Sequence, residues 1–209
     1  MAGSVTWVNT MSSEKRKYEQ KARAEGQRET RAAIAKAAAE LHEEKGVAAT
    51  SVSEIARRAG VTRLTVYNHF ADLSELLPAC SAHYAQLHPT PDLEPILAIE
   101  EPGRRVREAL AAMYAWYRET RHMLEKLFSD RTSVPELDEF MKGDIDVAPA
   151  ALADALGEGF GAKGRHSKRL NALLRLSLDF WTWHRLNGQG LDDAGAADLM
   201  TAAVLNERA

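Results

Sequence analysis

Apolar residues recur at helical spacing along most of the chain. Ile34, Ala37, Ala38 and Leu41 fall on one face of a helix that Gly46 is placed to end. Ser51 and Glu54 have the spacing of a capping box, in which each side chain satisfies a free backbone donor of the other. They predict a short helix over 52–59 with Ile55, Ala56 and Ala59 as its apolar face. Gly60 supplies a tight turn, and Thr62 caps a further short helix over 63–69. Asp72 and Glu75 repeat the cap for a helix running to about 87, which Pro78 is expected to kink. Pro89, Pro91 and Pro95 predict an extended linker. Beyond Pro102, helical patterns cover about 103–118, 121–130, 135–158, 167–187 and 191–206, with a flexible loop at Gly157, Gly159, Gly161 and Gly164. No sustained alternation of apolar and polar residues marks a strand, so the expected fold class is all-α.

Charge divides this chain of 209 residues unevenly. Residues 14–70 carry 12 Lys/Arg against 8 Asp/Glu, and the remainder carries 15 against 22. A basic front on an acidic body suits a polyanion at the front alone. Residues 1–13 are uncharged and patternless, which predicts disorder, and 14–29 read as a solvated helix or arm. The organisation expected is a flexible basic arm over 1–26, a three-helix DNA-binding domain with a helix-turn-helix over 27–75, and a helical-bundle regulatory and dimerisation domain over 76–209.

The two short helices around Gly60 have the form of a helix-turn-helix, with 63–70 as the helix that enters the major groove. The stretch "ATSVSEIARRAGVTRLTVYNHFADLSELL" resembles the DNA-binding domain of TetR-type transcriptional regulators. The resemblance rests on Thr50, Ser51, Val52, Glu54, Ile55, Ala56, Ala59, Gly60, Val61, Thr62, Val66, Tyr67, His69 and Phe70. It covers residues 34 to about 77, and the acidic remainder resembles the family only generally. It implies a homodimer that reads a palindromic operator in double-stranded DNA through two recognition helices, with the last two helices forming the dimer. It also implies regulation of transcription, as a repressor relieved by a small molecule. The chain departs from the family pattern at three places. His42 stands where Phe is usual, predicting looser packing of the first helix. Leu64 replaces a small residue, and Leu73 a phosphate-contacting Lys. A helical small-molecule-binding protein that has lost operator binding is the alternative these departures support.

Candidate DNA-binding residues are Ser51, Thr62, Arg63, Leu64, Thr65, Tyr67, Asn68 and His69. Arg63 suits guanine and Asn68 adenine through paired hydrogen bonds, and Leu64 suits a thymine methyl. Thr65, Tyr67 and His69 suit phosphates, which fix register without reading sequence. Ser51 and Thr62 are caps that also bring a hydroxyl and a helix N-terminus toward phosphate. Val66 and Phe70 belong to the core. A second group, His83, Tyr84, Met113, Trp116, Tyr117, Met123 and Trp181, combines flat aromatics, adaptable methionines and an imidazole. It suits an apolar or aromatic effector held by a few hydrogen bonds; the competing expectation is ordinary bundle core.

The chain shows no metal-ligand spacing, nucleophile motif or dinucleotide fingerprint. No enzyme activity, metal or cofactor is therefore expected. Cys80 is the only cysteine. With no apolar run long enough to span a bilayer and no signal peptide at the N-terminus, the expected location is the cytoplasm, away from any membrane.

Overall fold

Helix punctuation built from single residues sets the N-terminal architecture. The computed structural model describes residues 6–161 and 163–207. Helix α1, Thr6–Lys45, is 40 residues long and ends at Gly46, whose φ of +89° is open to glycine. Residues 6–26, expected as a flexible arm, are thus part of this helix, whereas 1–5 lie outside the described residues. Next come α2, Val52–Arg58, and α3, Arg63–His69. Gly60, with φ +68°, joins them in a Schellman closure: its N–H donates to the Arg57 carbonyl and the Val61 N–H to that of Ala56. Asp72 caps α4, Leu73–Leu87, which continues through Pro78. The proline-rich linker contains one short helix, α5, Glu94–Leu97.

Three stretches depart from the expected element bounds. The patterns at 103–118 and 121–130 form one helix, α6, Pro102–Asp130. Thr120 at the junction is buried, and its hydroxyl donates to the Trp116 carbonyl one turn back, so the polar residue is satisfied without ending the helix. The pattern at 135–158 divides into α7, Pro135–Phe140, a π-helical turn at Met141–Ile145, and α8, Val147–Glu158. Pro149 lacks the N–H a continuous helix would require, but this donor is unneeded in the first turn of a new one. The pattern at 167–187 breaks into α9, Arg165–Ser177, and α10, Phe180–Gly188. Asp179 caps α10 by accepting from the Thr182 N–H at 2.8 Å. Helix α11, Asp193–Asn206, follows. Among the described residues there is no strand.

Two apolar clusters organise these helices. One gathers Ile34, Ala38, Leu41, Ile55, Val66, Phe70 and Leu77 around α1–α4. It also takes in Leu137 and Met141, both fully buried, so apolar packing of the head continues into α7 and the turn after it. The second gathers Leu110, Tyr114, Leu156, Leu174, Leu178, Trp183 and Val204 from α6 and α8–α11. Leu174 and Leu178, whose spacing suggests a face for a partner helix, are instead 0% and 2% exposed inside this cluster. No helix among the described residues is long and apolar enough to cross a membrane.

Candidate nucleic-acid interface

The inner face of α3 is fixed by Val66 and Phe70, each 2% exposed. With 3.6 residues per turn, that places Leu64 and Asn68 on the opposite face and Tyr67 at its edge, while Arg63 stands in the first turn at the N-terminal end of the helix. All four are exposed, Leu64 at 68% and Tyr67 at 45%. Thr65 and His69 lie half-buried at the margins. The Thr62 hydroxyl accepts from the Thr65 N–H at 3.1 Å and lies 2.9 Å from the Thr65 hydroxyl, so these two side chains also organise the first turn.

Helix α2 braces α3 from behind. Ser51 and Glu54 form the complete capping box: the Ser51 N–H donates to the Glu54 carboxylate at 3.0 Å, and the Ser51 hydroxyl accepts from the Glu54 N–H. Lys45, in the last turn of α1, donates to the other Glu54 oxygen at 2.5 Å. Lys45 and then Ser51 hold the Glu54 carboxyl down to about 2. Arg58 pairs with Glu44 at 2.8 Å, tying the end of α2 to α1. Ser51 is exposed, but its hydroxyl is already committed to the cap.

Arg31 is a contact that periodicity and motif do not foresee. Its guanidinium stacks 3.9 Å over the Phe70 ring and donates to the His69 carbonyl, closing the C-terminal end of α3 against α1. The one hint is position: a cation three residues before Ile34, where the packing of α1 into the head begins among its described side chains. Nor does His42 loosen α1, as its departure from the family pattern suggests. It is 3% exposed, with Nδ1 3.7 Å from the Cys80 sulfur, and burial lowers its imidazole to about 4. The ring is therefore neutral. Leu73, in place of the family's lysine, is half-buried against the head's apolar cluster.

Asp130, at the end of α6, reaches back to the turn between α1 and α2. Its carboxylate accepts from the Ala48 N–H at 3.0 Å. A Cβ at Gly46 would lie 2.4 Å from the same carboxylate oxygen. Backbone conformation and the body's approach thus both require glycine there.

The seven candidate effector residues are placed as packing groups, and their polar atoms are mostly occupied. Met113, Tyr117 and Met123 are buried. The Tyr117 hydroxyl donates to the Leu178 carbonyl at 2.6 Å, and the Trp116 indole to the His88 carbonyl at 3.2 Å. Tyr84 is half-buried and stacks on His88 at 4.4 Å, with its hydroxyl 3.5 Å from Glu43. Tyr117 contacts Trp116 at 5.7 Å and Phe180 at 5.7 Å, while Phe180 contacts Trp181 at 5.1 Å. His83 is half-buried on α4. Phe180, absent from the candidates, is the hub of this aromatic group; its role is invisible without knowing that the helix breaks at Asp179. Two open clefts between α4 and α7, the larger about 580 Å³, are lined by residues such as Pro78, Ser74 and Phe140 and by none of the seven. Among the described residues, no group of three or more His, Cys, Asp or Glu side chains is placed to hold a metal ion.

Residues 34–80 match the family model of "Bacterial regulatory proteins, tetR family". Over 68 residues the chain is 46% identical to the HTH-type transcriptional regulator SrpR of Pseudomonas putida, covering 31% of this chain and 32% of that protein. Over 48 residues it is 50% identical to the HTH-type transcriptional regulator AcrR of Shigella flexneri, covering 23% of this chain and 22% of that one. These matches therefore span a third or less of the relatives' own lengths. Among solved structures, a TetR-like transcriptional regulator from Rhodococcus sp. RHA1 superposes with a TM-score of 0.59 at 18% identity, over 83% of this chain and 92% of that one. NalD, the secondary repressor of the MexAB-OprM multidrug efflux pump in Pseudomonas aeruginosa, does so with a TM-score of 0.55 at 23% identity, over 85% and 95%. At these identities the structural likeness is one of fold.

Proposed function

We propose that this chain, whose residues 34–80 form a DNA-binding domain of the tetR family, is a homodimeric, sequence-specific transcriptional regulator acting as a repressor. One observation carries the reading: α3 presents Arg63, Leu64, Tyr67 and Asn68 to solvent from a helix anchored by Val66 and Phe70. Four exposed side chains on a rigid, capped helix are what a major groove accepts. Arg63 and Asn68 are assigned to base edges, Leu64 to a thymine methyl, and Thr65, Tyr67 and His69 to phosphates. Ser51 and Thr62 are assigned to positioning helix N-termini near the backbone.

Two heads about 34–36 Å apart reach successive major-groove faces of a palindrome. We assign the dimer contact to the last helices, over 167–187 and 191–206. In support, α9 and α11 pack on each other and leave Leu176 and Leu199 about half exposed. A second copy would cover them in a bundle across a two-fold axis. The regulatory arm of the proposal is an apolar or aromatic effector held by His83, Tyr84, Met113, Trp116, Tyr117, Met123 and Trp181. Because Met113, Tyr117 and Met123 are closed off, such an effector must open the packing between α6 and α10, and that opening couples binding to a change in head spacing.

Selection from random-sequence duplexes, followed by binding of the selected palindrome, tests the DNA-reading half. Arg63→Ala and Asn68→Ala should relax base preference, each losing about 1–3 kcal/mol of discrimination. Tyr67→Phe and His69→Ala should weaken matched and mismatched duplexes alike. Wild-type selectivity in all four variants would leave α3 without a reading role and favour the alternative, a helical ligand-binding protein without operator binding.

A further inference from the structure

Helix α1 does not stop at the head. From residue 16 on, where side chains are described, its first buried residue is Ile34, and residues 16–29 are exposed apart from a partly covered Gly26. On a helical wheel this exposed stretch is segregated by charge. Lys17, Lys21, Arg28 and Arg31 fall within ~40° of one another's mean direction. Arg16, Gln20, Arg23 and Gln27 occupy the adjoining strip, and Glu19, Glu25 and Glu29 lie outside both. The adjoining strip continues into the side on which Ile34, Ala38, Leu41 and His42 pack into the head, and the cationic stripe runs beside that side, about 80° around the helix. Arg31 marks the transition: it belongs to the stripe, and it rests on Phe70 and the His69 carbonyl at the end of α3.

We propose that this stripe is a second DNA contact, laid on the phosphate backbone beside the half-site that α3 reads. The inference rests on the proposed reading of α3 and extends it outward. The charges complement a polyphosphate, and the stripe is continuous with the recognition helix through Arg31. Lys17, Lys21 and Arg23 have no ion pair among the described residues, whereas Arg28 is shared with Glu25 at 3.1 Å. From residue 16 to residue 31 the helix rises about 22 Å, the length of about six base pairs. Helical structure holds the cations in a row, which a flexible tail does not. Their contacts carry no sequence information, so they add affinity and lengthen the protected site without altering the palindrome.

The probe is the palindrome enriched by the wild-type protein, in one duplex with about ten flanking base pairs on each side and one trimmed to the palindrome. The variant is the triple substitution Lys17→Gln, Lys21→Gln and Arg23→Gln, which leaves Arg31 and the whole of α3 intact. The wild type is expected to bind the flanked duplex more tightly than the trimmed one, and the variant to bind both alike. The log–log salt slope should become shallower by about 0.9 for each phosphate contact removed. Base preference within the palindrome should stay unchanged. An identical slope with retained flank dependence would overturn the stripe's role while leaving α3 in place. Loss of the dimer in the variant, read by light scattering, would overturn it in favour of a second copy of the chain as the occupant. Failure of the wild type to enrich any sequence would remove the parent reading, and this one with it.

Discussion

His42 sits where burial and chemistry oppose each other. Its ring is held neutral between α1 and α4, and burial outweighs the nearby Asp130 charge, which favours protonation. A histidine near 6.5 in the unfolded chain and about 4 in the folded one binds more protons when unfolded at any pH between those values. The stabilisation is therefore complete above about 6.5 and is lost as pH falls toward 4, on the order of 3 kcal/mol across the window. Urea unfolding at pH 7.5 and pH 4.5 should show this loss, and His42→Phe should remove most of the difference. An equal pH response in both proteins would assign the acid sensitivity to carboxylates instead. The two head glycines give a paired contrast. At Gly60, alanine meets open space and the expected cost is about 1–2 kcal/mol for left-handed backbone. At Gly46, alanine adds a collision with Asp130 to the same strain, so Gly46→Ala should lower the melting temperature distinctly further. The first residues of α2, α3 and α4 were readable because a cap is a local matter; the partners of His42 and Gly46 were not, because Cys80 and Asp130 arrive from 38 and 84 positions away.

At the scale of elements, α2 has only seven residues and depends on its cap. Ser51→Ala should cost about 0.5–2 kcal/mol, read as a shift in denaturant midpoint with unchanged slope. Sequence periodicity placed α2, α3 and α4 within a residue or two because each opens on a side-chain cap, whereas residues 6–26 of α1 read as a flexible arm and are helix. The body was less legible. A buried threonine looks like a break at 120 and is not one, while Asp179 looks like one more polar residue on a helix and is a cap. Both outcomes depend on tertiary surroundings: Thr120 satisfies itself against its own helix, and Phe180 must turn into the aromatic group that includes Tyr117 and Trp183. That break also moves Leu178 from a suspected partner face to the core. Leu178→Asp should therefore unfold the body rather than give a folded monomer, and a cooperative melt with intact near-ultraviolet circular dichroism would contradict this.

For the whole molecule, the surface leucines carry the assembly question. Leu176→Asp together with Leu199→Asp should yield a folded monomer by light scattering, with operator affinity falling steeply as the two heads lose their linkage. A dimer that survives would move the contact to another face. The effector group is the part of the site that sequence conveyed least well. Aromatics and methionines at helical spacing describe a binding pocket and a filled core equally, and only the hydrogen bonds of Trp116 and Tyr117 distinguish them. The burial of Leu137 and Met141 among the head's own apolar residues bears on how this protein is re-engineered. A recognition module cut out near residue 87 would leave behind part of its own interior, and transplanting it onto a foreign body would expose that surface to aggregation. Calorimetry of the intact chain should accordingly give one heat-absorption peak rather than a separate early melt of the front. A new target sequence is better introduced by exchanging the four outward side chains of α3 in place, because Arg63, Leu64, Tyr67 and Asn68 contribute little to the interior that joins the two halves.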